Sequence, residues 1–191
     1  MGRSQSCIAK AALVVFLCAG ATAGDAFAQE TERTPLHEVH GSWQLACAAA
    51  AKKDGADTAP STEVVMKPAC AIAQVQLEEK TRKLVVSVEF RLDDAAMPDR
   101  LTGTMVLPFG LAVTKLFSVK SGNMRLQEVQ VSTCLPVGCI VSFAPFIELV
   151  SALKAEQTLT IEAPDLQGRI VSFQLQGKGF PEALKRLGEV R

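Results

Sequence analysis

The sequence predicts a mainly β domain, a sandwich or barrel with one or two short helices, stapled by disulfides. Three observations carry this. Short apolar stretches with two-residue alternation recur along the chain, separated by Pro, Gly, Asn and Asp. Only two stretches show a 3.6-residue period. Four cysteines remain beyond an N-terminal export signal, and an even number in an exported chain reads as a disulfide framework.

Residues 1–28 have the form of that signal. Arg3 and Lys10 supply the positive region, residues 11–21 are apolar or small without charge, and Ala26-Phe27-Ala28 is an A-x-A cleavage site. The apolar run is shorter than the about 20 residues a membrane-spanning helix needs, so cleavage before Gln29 is expected rather than an anchor. A lipoprotein reading at Cys18 fails on the bulky Leu17 before it. Cys7 and Cys18 leave with the signal. The mature chain is then Gln29–Arg191, 163 of the 191 residues, the size of one domain. Of 20 basic and 20 acidic residues the signal removes Arg3, Lys10 and Asp25, leaving 18 against 19 and a net charge of −1. No basic stripe suggests nucleic acid, and no later apolar run has the length of a transmembrane segment.

Residues 29–41 are polar and read as a flexible lead-in. The domain occupies residues 42–191. Trp43, Leu45 and Cys47 alternate as one buried face of a strand. Residues 48–67 lack sustained periodicity and read as a long loop, with a short strand expected at 63–66. Strand character returns over 70–77. The clearest strand is 83–91, with Leu84, Val86, Val88 and Phe90 on one face. A turn over 93–99 follows, then strands at 102–107 and 111–119 separated by Pro108-Phe109-Gly110. Ser121-Gly122-Asn123 marks a hairpin turn, since Gly and Asn tolerate positive φ. Residues 124–133 pair back, and 140–143 form the next strand. Pro145 opens a helix with Phe146, Leu149, Val150 and Leu153 on one face. Residues 158–163 and 170–176 make a last strand pair around Pro164-Asp165-Leu166-Gln167-Gly168. Pro181 opens a second helix carrying Ala183, Leu184 and Leu187.

Four cysteines allow three pairings. Proximity favours Cys47 with Cys70 and Cys134 with Cys139, and in the chain-entropy picture these closures stabilise by roughly 3.5 and 2 kcal/mol. The first ties two strands across the long loop. The second locks the turn Leu135-Pro136-Val137-Gly138 in a presented shape. The spacing is Cys-x-x-x-x-Cys with strand-like flanks, whereas a redox motif has Cys-x-x-Cys at a helix N-terminus. Zinc knuckles need closer pairs than Cys47 and Cys70.

Other chemistry is sparse. His37 and His40 could share a helix face and hold a metal, but they lie in the polar lead-in without a third ligand nearby and read as solvated. There is no Gly-x-Ser-x-Gly elbow, no histidine within the domain for a triad and no glycine-rich phosphate loop. Asp93-Asp94 reads as a solvated turn. Trp43, the sole tryptophan, is expected in the core near the Cys47 disulfide. Phe109, Phe143 and Phe146 are expected to pack inward.

Trp43-x-x-x-Cys47, Cys70-Ala71-Ile72-Ala73-Gln74 and Leu107-Pro108-Phe109-Gly110-Leu111 together resemble the invasion-associated locus B family of proteobacterial exported proteins. Cys134-Leu135-Pro136-Val137-Gly138-Cys139, Leu153-Lys154-Ala155 and Gly179-Phe180-Pro181-Glu182-Ala183-Leu184 continue the likeness, which spans residues 42–187. Residues 48–67 depart from it in being long and alanine-rich. The resemblance implies an immunoglobulin-like β-sandwich, periplasmic or outer-membrane-associated, with a role in host-cell entry in pathogenic relatives. It transfers no catalytic residue, cofactor or metal. The expected function is therefore non-enzymatic: recognition of a protein or cell-envelope partner through loops on a rigid scaffold, with Leu135, Pro136 and Val137 as candidate binding residues. The alternatives are a periplasmic thiol-redox or metal-binding accessory protein and an envelope-stability factor.

Overall fold

Alternation of apolar and polar residues decides which side chains the strands bury. In β2 (Trp43–Ala48) Trp43, Leu45 and Cys47 are buried and the residues between them exposed. In β4 (Leu84–Asp93) Val86, Val88 and Phe90 are buried. The computed structural model describes residues 35–48, 69–93 and 100–190. The signal peptide, the first part of the lead-in, the strand expected at 63–66 and Asp94 lie outside them.

The remaining strands are β1 (His37–His40), β3 (Ala69–Leu77), β5 (Arg100–Leu107), β6 (Phe117–Ser121), β7 (Met124–Val129), β8 (Thr133–Leu135), β9 (Gly138–Phe143), β10 (Leu159–Pro164) and β11 (Ile170–Leu175). Helix α1 (Ile147–Lys154) precedes β10, and α2 (Phe180–Val190) closes the described chain. One antiparallel sheet has the order β1-β2-β3-β4-β5-β9-β8, the other β11-β10-β6-β7. Their apolar faces and the two helices enclose a single core, so the fold is the mainly β sandwich the sequence predicts.

At the centre of the core, Trp43 is fully buried. Its ring lies 5.0 Å from Phe180 and 5.7 Å from Phe90, and these two rings lie 5.6 Å apart. Phe180 meets both other rings edge-to-face and Trp43 is tilted against Phe90, contacts that add to the burial of large rings. The indole N–H donates to the Gln176 carbonyl at 2.9 Å, so the one polar atom of the side chain is satisfied.

Four expectations change. His37–His40 is a strand, not the end of a flexible lead-in: it pairs with β2 from His37↔Ala46 to His40↔Trp43. An edge strand needs only backbone pairing, and its polar side chains hide it from periodicity. Glu38 also fastens it to α2, where the Arg186 guanidinium donates to both carboxylate oxygens at 2.9–3.0 Å. Next, residues 111–119 are not one strand. Leu111 makes a single bridge to Asp165, the chain turns through 112–116, and β6 begins at Phe117. Residues 124–133 likewise divide into β7 and the start of β8. The reason is shared: the chain crosses from one sheet to the other at both places, and a strand cannot keep its ladder with both. Finally, Phe109 and Phe146 are exposed rather than packed inward. Phe146 is the N-cap of α1, whose buried face is Leu149, Ala152 and Leu153. Phe143 does pack against the core, 6.0 Å from Phe90.

Candidate recognition surface

Cys134 and Cys139 are direct partners across the β8–β9 hairpin, between Thr133↔Ile140 and Leu135↔Gly138. Pro136 and Val137 form its two-residue turn. Antiparallel pairing brings directly opposed residues close, and here the Cα atoms are 3.9 Å apart with the sulfurs bonded. Cys139 is buried, while Cys134, Leu135, Pro136 and Val137 are exposed. The hairpin ends the seven-stranded sheet. Gly138 sets its base. Its φ is +140°, and a Cβ there would lie 2.5 Å from the Leu107 carbonyl oxygen. Only glycine allows the hairpin to press this closely on β5.

Cys47 and Cys70 repeat the device as direct partners in the β2–β3 ladder, bonded with Cα atoms 4.0 Å apart. This disulfide is buried. The Cys70 sulfur lies 3.7 Å from the Val190 carbonyl at the end of α2; an oxidised sulfur has no proton to donate, so the contact is packing.

The stapled turn shares its end of the sandwich with two further loops. Leu107 pairs with Cys139, so β5 ends where β9 begins. From there the chain runs through Phe109 to Leu111, which bridges Asp165 in the β10–β11 loop. The Leu166 N–H donates to the Gly110 carbonyl and the Ala112 N–H to that of Pro164. Asp165 is buried and organises its loop: Oδ1 accepts the Gln167 and Arg169 N–H groups at 2.8 and 2.9 Å, and Oδ2 accepts Arg169 Nε at 2.7 Å. Burial alone would push this carboxyl up; the Arg169 N–H, the Arg169 guanidinium and the Gln167 N–H outweigh it and hold the pKa below its usual value. Sequence reasoning named Leu135, Pro136 and Val137 but missed exposed Phe109, Leu166 and Ile170. Their signal was apolar residues inside turn segments, outside any strand alternation.

The histidine pair does not converge. Residues three apart on a strand point to opposite faces. His40 bonds Glu38 at 3.2 Å, and His37 is exposed. Glu38 is held below its usual pKa chiefly by the Arg186 hydrogen bonds, with His40 adding to them. Among the described residues no three His, Cys, Asp or Glu side chains gather as a metal would require. A shallow depression of 230 Å³ lies beside His40, Gly41, Glu156, Lys178, Gly179 and Glu182, smaller than typical ligand pockets of about 300–1,000 Å³. Its Glu156 is already engaged by the Gly179 N–H at 2.7 Å. No described helix is long and apolar enough to cross a membrane.

Known proteins share both sequence and shape with this chain. It is 28% identical over 153 residues to an invasion protein B homologue of Brucella abortus strain 2308, covering 80% of this chain and 79% of that one. It is 27% identical over 157 residues to invasion protein B of Bartonella bacilliformis, covering 80% and 74%. The crystal structure of invasion associated protein b from Bartonella henselae superposes with a TM-score of 0.64 at 23% identity, over 80% of this chain and 95% of the other, which establishes the common fold. Residues 43–188 match the family described as invasion associated locus B (IalB) protein. That stretch holds both stapled strand pairs, the aromatic core and the loop end described above, and the chain belongs to the invasion associated locus B family.

Proposed function

We propose that this chain is a non-enzymatic exported domain, periplasmic or outer-membrane-associated, that recognises a protein or cell-envelope partner through the loop end carrying Leu135, Pro136 and Val137. The observation behind this reading is the presented turn: two exposed apolar residues, Leu135 and Val137, are held at a sheet edge by a covalent cross-link. Exposed apolar residues on a rigid turn lose little conformational freedom on binding. The buried polar side chains Gln74, Gln127 and Asp165 are all hydrogen-bonded within the fold, which supports a structural role for them. Kinship with invasion protein B relatives supports a role in contact with host cells. Export fits the two disulfides and the signal-like residues 1–28.

The test is crosslinking in the cell envelope with identification of what is captured, repeated with Leu135→Ala/Val137→Ala. The folded variant is expected to lose the captured partner. Unchanged capture would reduce the turn to a structural element. Mass spectrometry of the exported protein checks the compartment: a mature chain starting at Gln29 with four thiol hydrogens missing is the expected product.

A further inference from the structure

The loop end displays large apolar side chains from several segments: Phe109 is 62% exposed, Val137 65%, Leu166 72% and Ile170, which opens β11, 60%, with Leu116 and Leu135 also exposed. Apolar side chains spread over several segments match a surface that can close around each of them better than they match one rigid groove. A soft apolar phase is such a surface. We infer that this end inserts into the interfacial region of an anionic lipid bilayer, with these side chains entering the acyl boundary and the surrounding cations meeting the headgroups. This deepens the recognition reading above and rests on it.

Two independent features support a lipid surface. The first is charge. Lys115 lies between exposed Val113 and Leu116. The β3–β4 turn sits at the same end, because Ser87 pairs with Val106 one residue before β5 closes. It carries Lys80, Arg82 and Lys83 against Glu78 and Glu79. In the β10–β11 loop the one carboxylate, Asp165, is buried and bonded to Arg169. Over these loops Lys80, Arg82, Lys83, Lys115 and Arg169 stand against Glu78, Glu79 and Asp165, a cationic surplus in a chain whose formal charges balance, and such a surplus attracts anionic lipid.

The second is backbone satisfaction. A segment entering a bilayer must carry few unpaired N–H and C=O groups. Here the Ala112, Lys115, Asp165, Leu166 and Gly168 N–H groups donate to backbone carbonyls of the same two loops, and the Asp165 carboxylate takes those of Gln167 and Arg169. Pro108 and Pro136 have no N–H to bury. The opposite end also exposes Met124, Phe146 and Ile147, and Phe146 there serves as the control site.

Cosedimentation of the purified, disulfide-bonded protein with phosphatidylethanolamine–phosphatidylglycerol vesicles tests the inference. The protein is expected to pellet with them, less so as salt rises, and to stay in solution with phosphatidylcholine vesicles. Phe109→Ser/Leu166→Ser is expected to lower the partition coefficient at least about tenfold, since each side chain loses an apolar insertion. Phe146→Ser at the opposite end is expected to change nothing. Emission from buried Trp43 verifies folding. Should the double variant not fold, Lys115→Glu/Lys83→Glu is expected to lower partition to the anionic vesicles alone. Absence of pelleting, or equal partition of folded variant and parent, overturns the inference. So does a concentration-dependent dimer that Phe109→Ser/Leu166→Ser dissolves, which assigns the patch to a second copy. Protein capture that depends on Leu135 and Val137 without vesicle binding would retain the recognition reading and remove only the lipid one.

Discussion

The Gln74 side chain pairs with the backbone of Gln176 as a neighbouring strand would. Its Oε1 accepts the Gln176 N–H at 2.9 Å, and its Nε2 donates to the Gln176 carbonyl at 3.1 Å. The same carbonyl accepts the Trp43 indole. Gln74 lies in β3 of the large sheet and Gln176 just past β11 of the small one, so one buried amide fastens the two sheets where the chain turns towards α2. Gln74 shows only 5% of its surface, and its position in the alternating pattern is that of a core residue.

Gln74→Leu fits that space but leaves the Gln176 N–H buried without an acceptor. A loss of about 1–3 kcal/mol in unfolding free energy is expected, measured by urea denaturation followed through Trp43 fluorescence. A neutral result would mean that water or the neighbouring Gln76 takes over the bond.

The disulfides differ in what they close. Cys47→Ala/Cys70→Ala opens a loop of sequence separation 23 and Cys134→Ala/Cys139→Ala one of 5. Losses of roughly 3.5 and 2 kcal/mol are expected, with the first pair the more damaging. Denaturation of each double variant gives the order, and a reversed order would show that the hairpin staple constrains more than its own loop.

Gly138→Ala forces a Cβ onto the Leu107 carbonyl at a φ that side chains rarely adopt. A cost of about 1–3 kcal/mol is expected. Because the same contact aims the stapled turn, the variant is also expected to weaken any capture that depends on Val137. Normal stability would indicate that the hairpin rotates away from β5.

Glu38 and Asp165 make the fold acid-sensitive. Both titrate below their usual values of 4.5 and 3.8 in the folded chain. Protonation is therefore harder in the native state than in the unfolded one. Their contribution is complete above the unfolded values and disappears as pH falls through the folded ones. The urea midpoint is expected to decline below about pH 5, and Glu38→Gln/Asp165→Asn is expected to flatten part of that decline. Identical acid profiles for variant and parent would place the dependence in other carboxylates. Arg186→Ala is expected to speed amide exchange in β1 without changing β4, as it frees the edge strand alone.

Much of the architecture was legible in the residues. The alternation in β2 and β4 follows from a sheet with one wet face, and Trp43 belongs to the core on the same ground. The 3.6-residue spacing of Ala183, Leu184 and Leu187 placed α2. The cysteines suggested local staples because nearby partners close the shortest loops. What failed did so where neighbours in space overrode neighbours in sequence. β1 is polar and exists through the β2 ladder and the Glu38–Arg186 pair. The stretch 111–119 reads as continuous strand but must leave one sheet to join the other.

By itself, then, the chain determined the buried faces of β2 and β4, its two helices, the hairpin turn at Gly122 and the presence of a stapled Pro/Gly hairpin, because these follow from side-chain period and local backbone freedom. Only the tertiary structure decided that the cysteines of each pair stand directly opposite one another, that Gln74 joins two sheets, and that Phe109, Leu166 and Val137 emerge together at one end. Those facts depend on strand order and register, which bring residues far apart in sequence to the same place, and no local pattern encodes that distance.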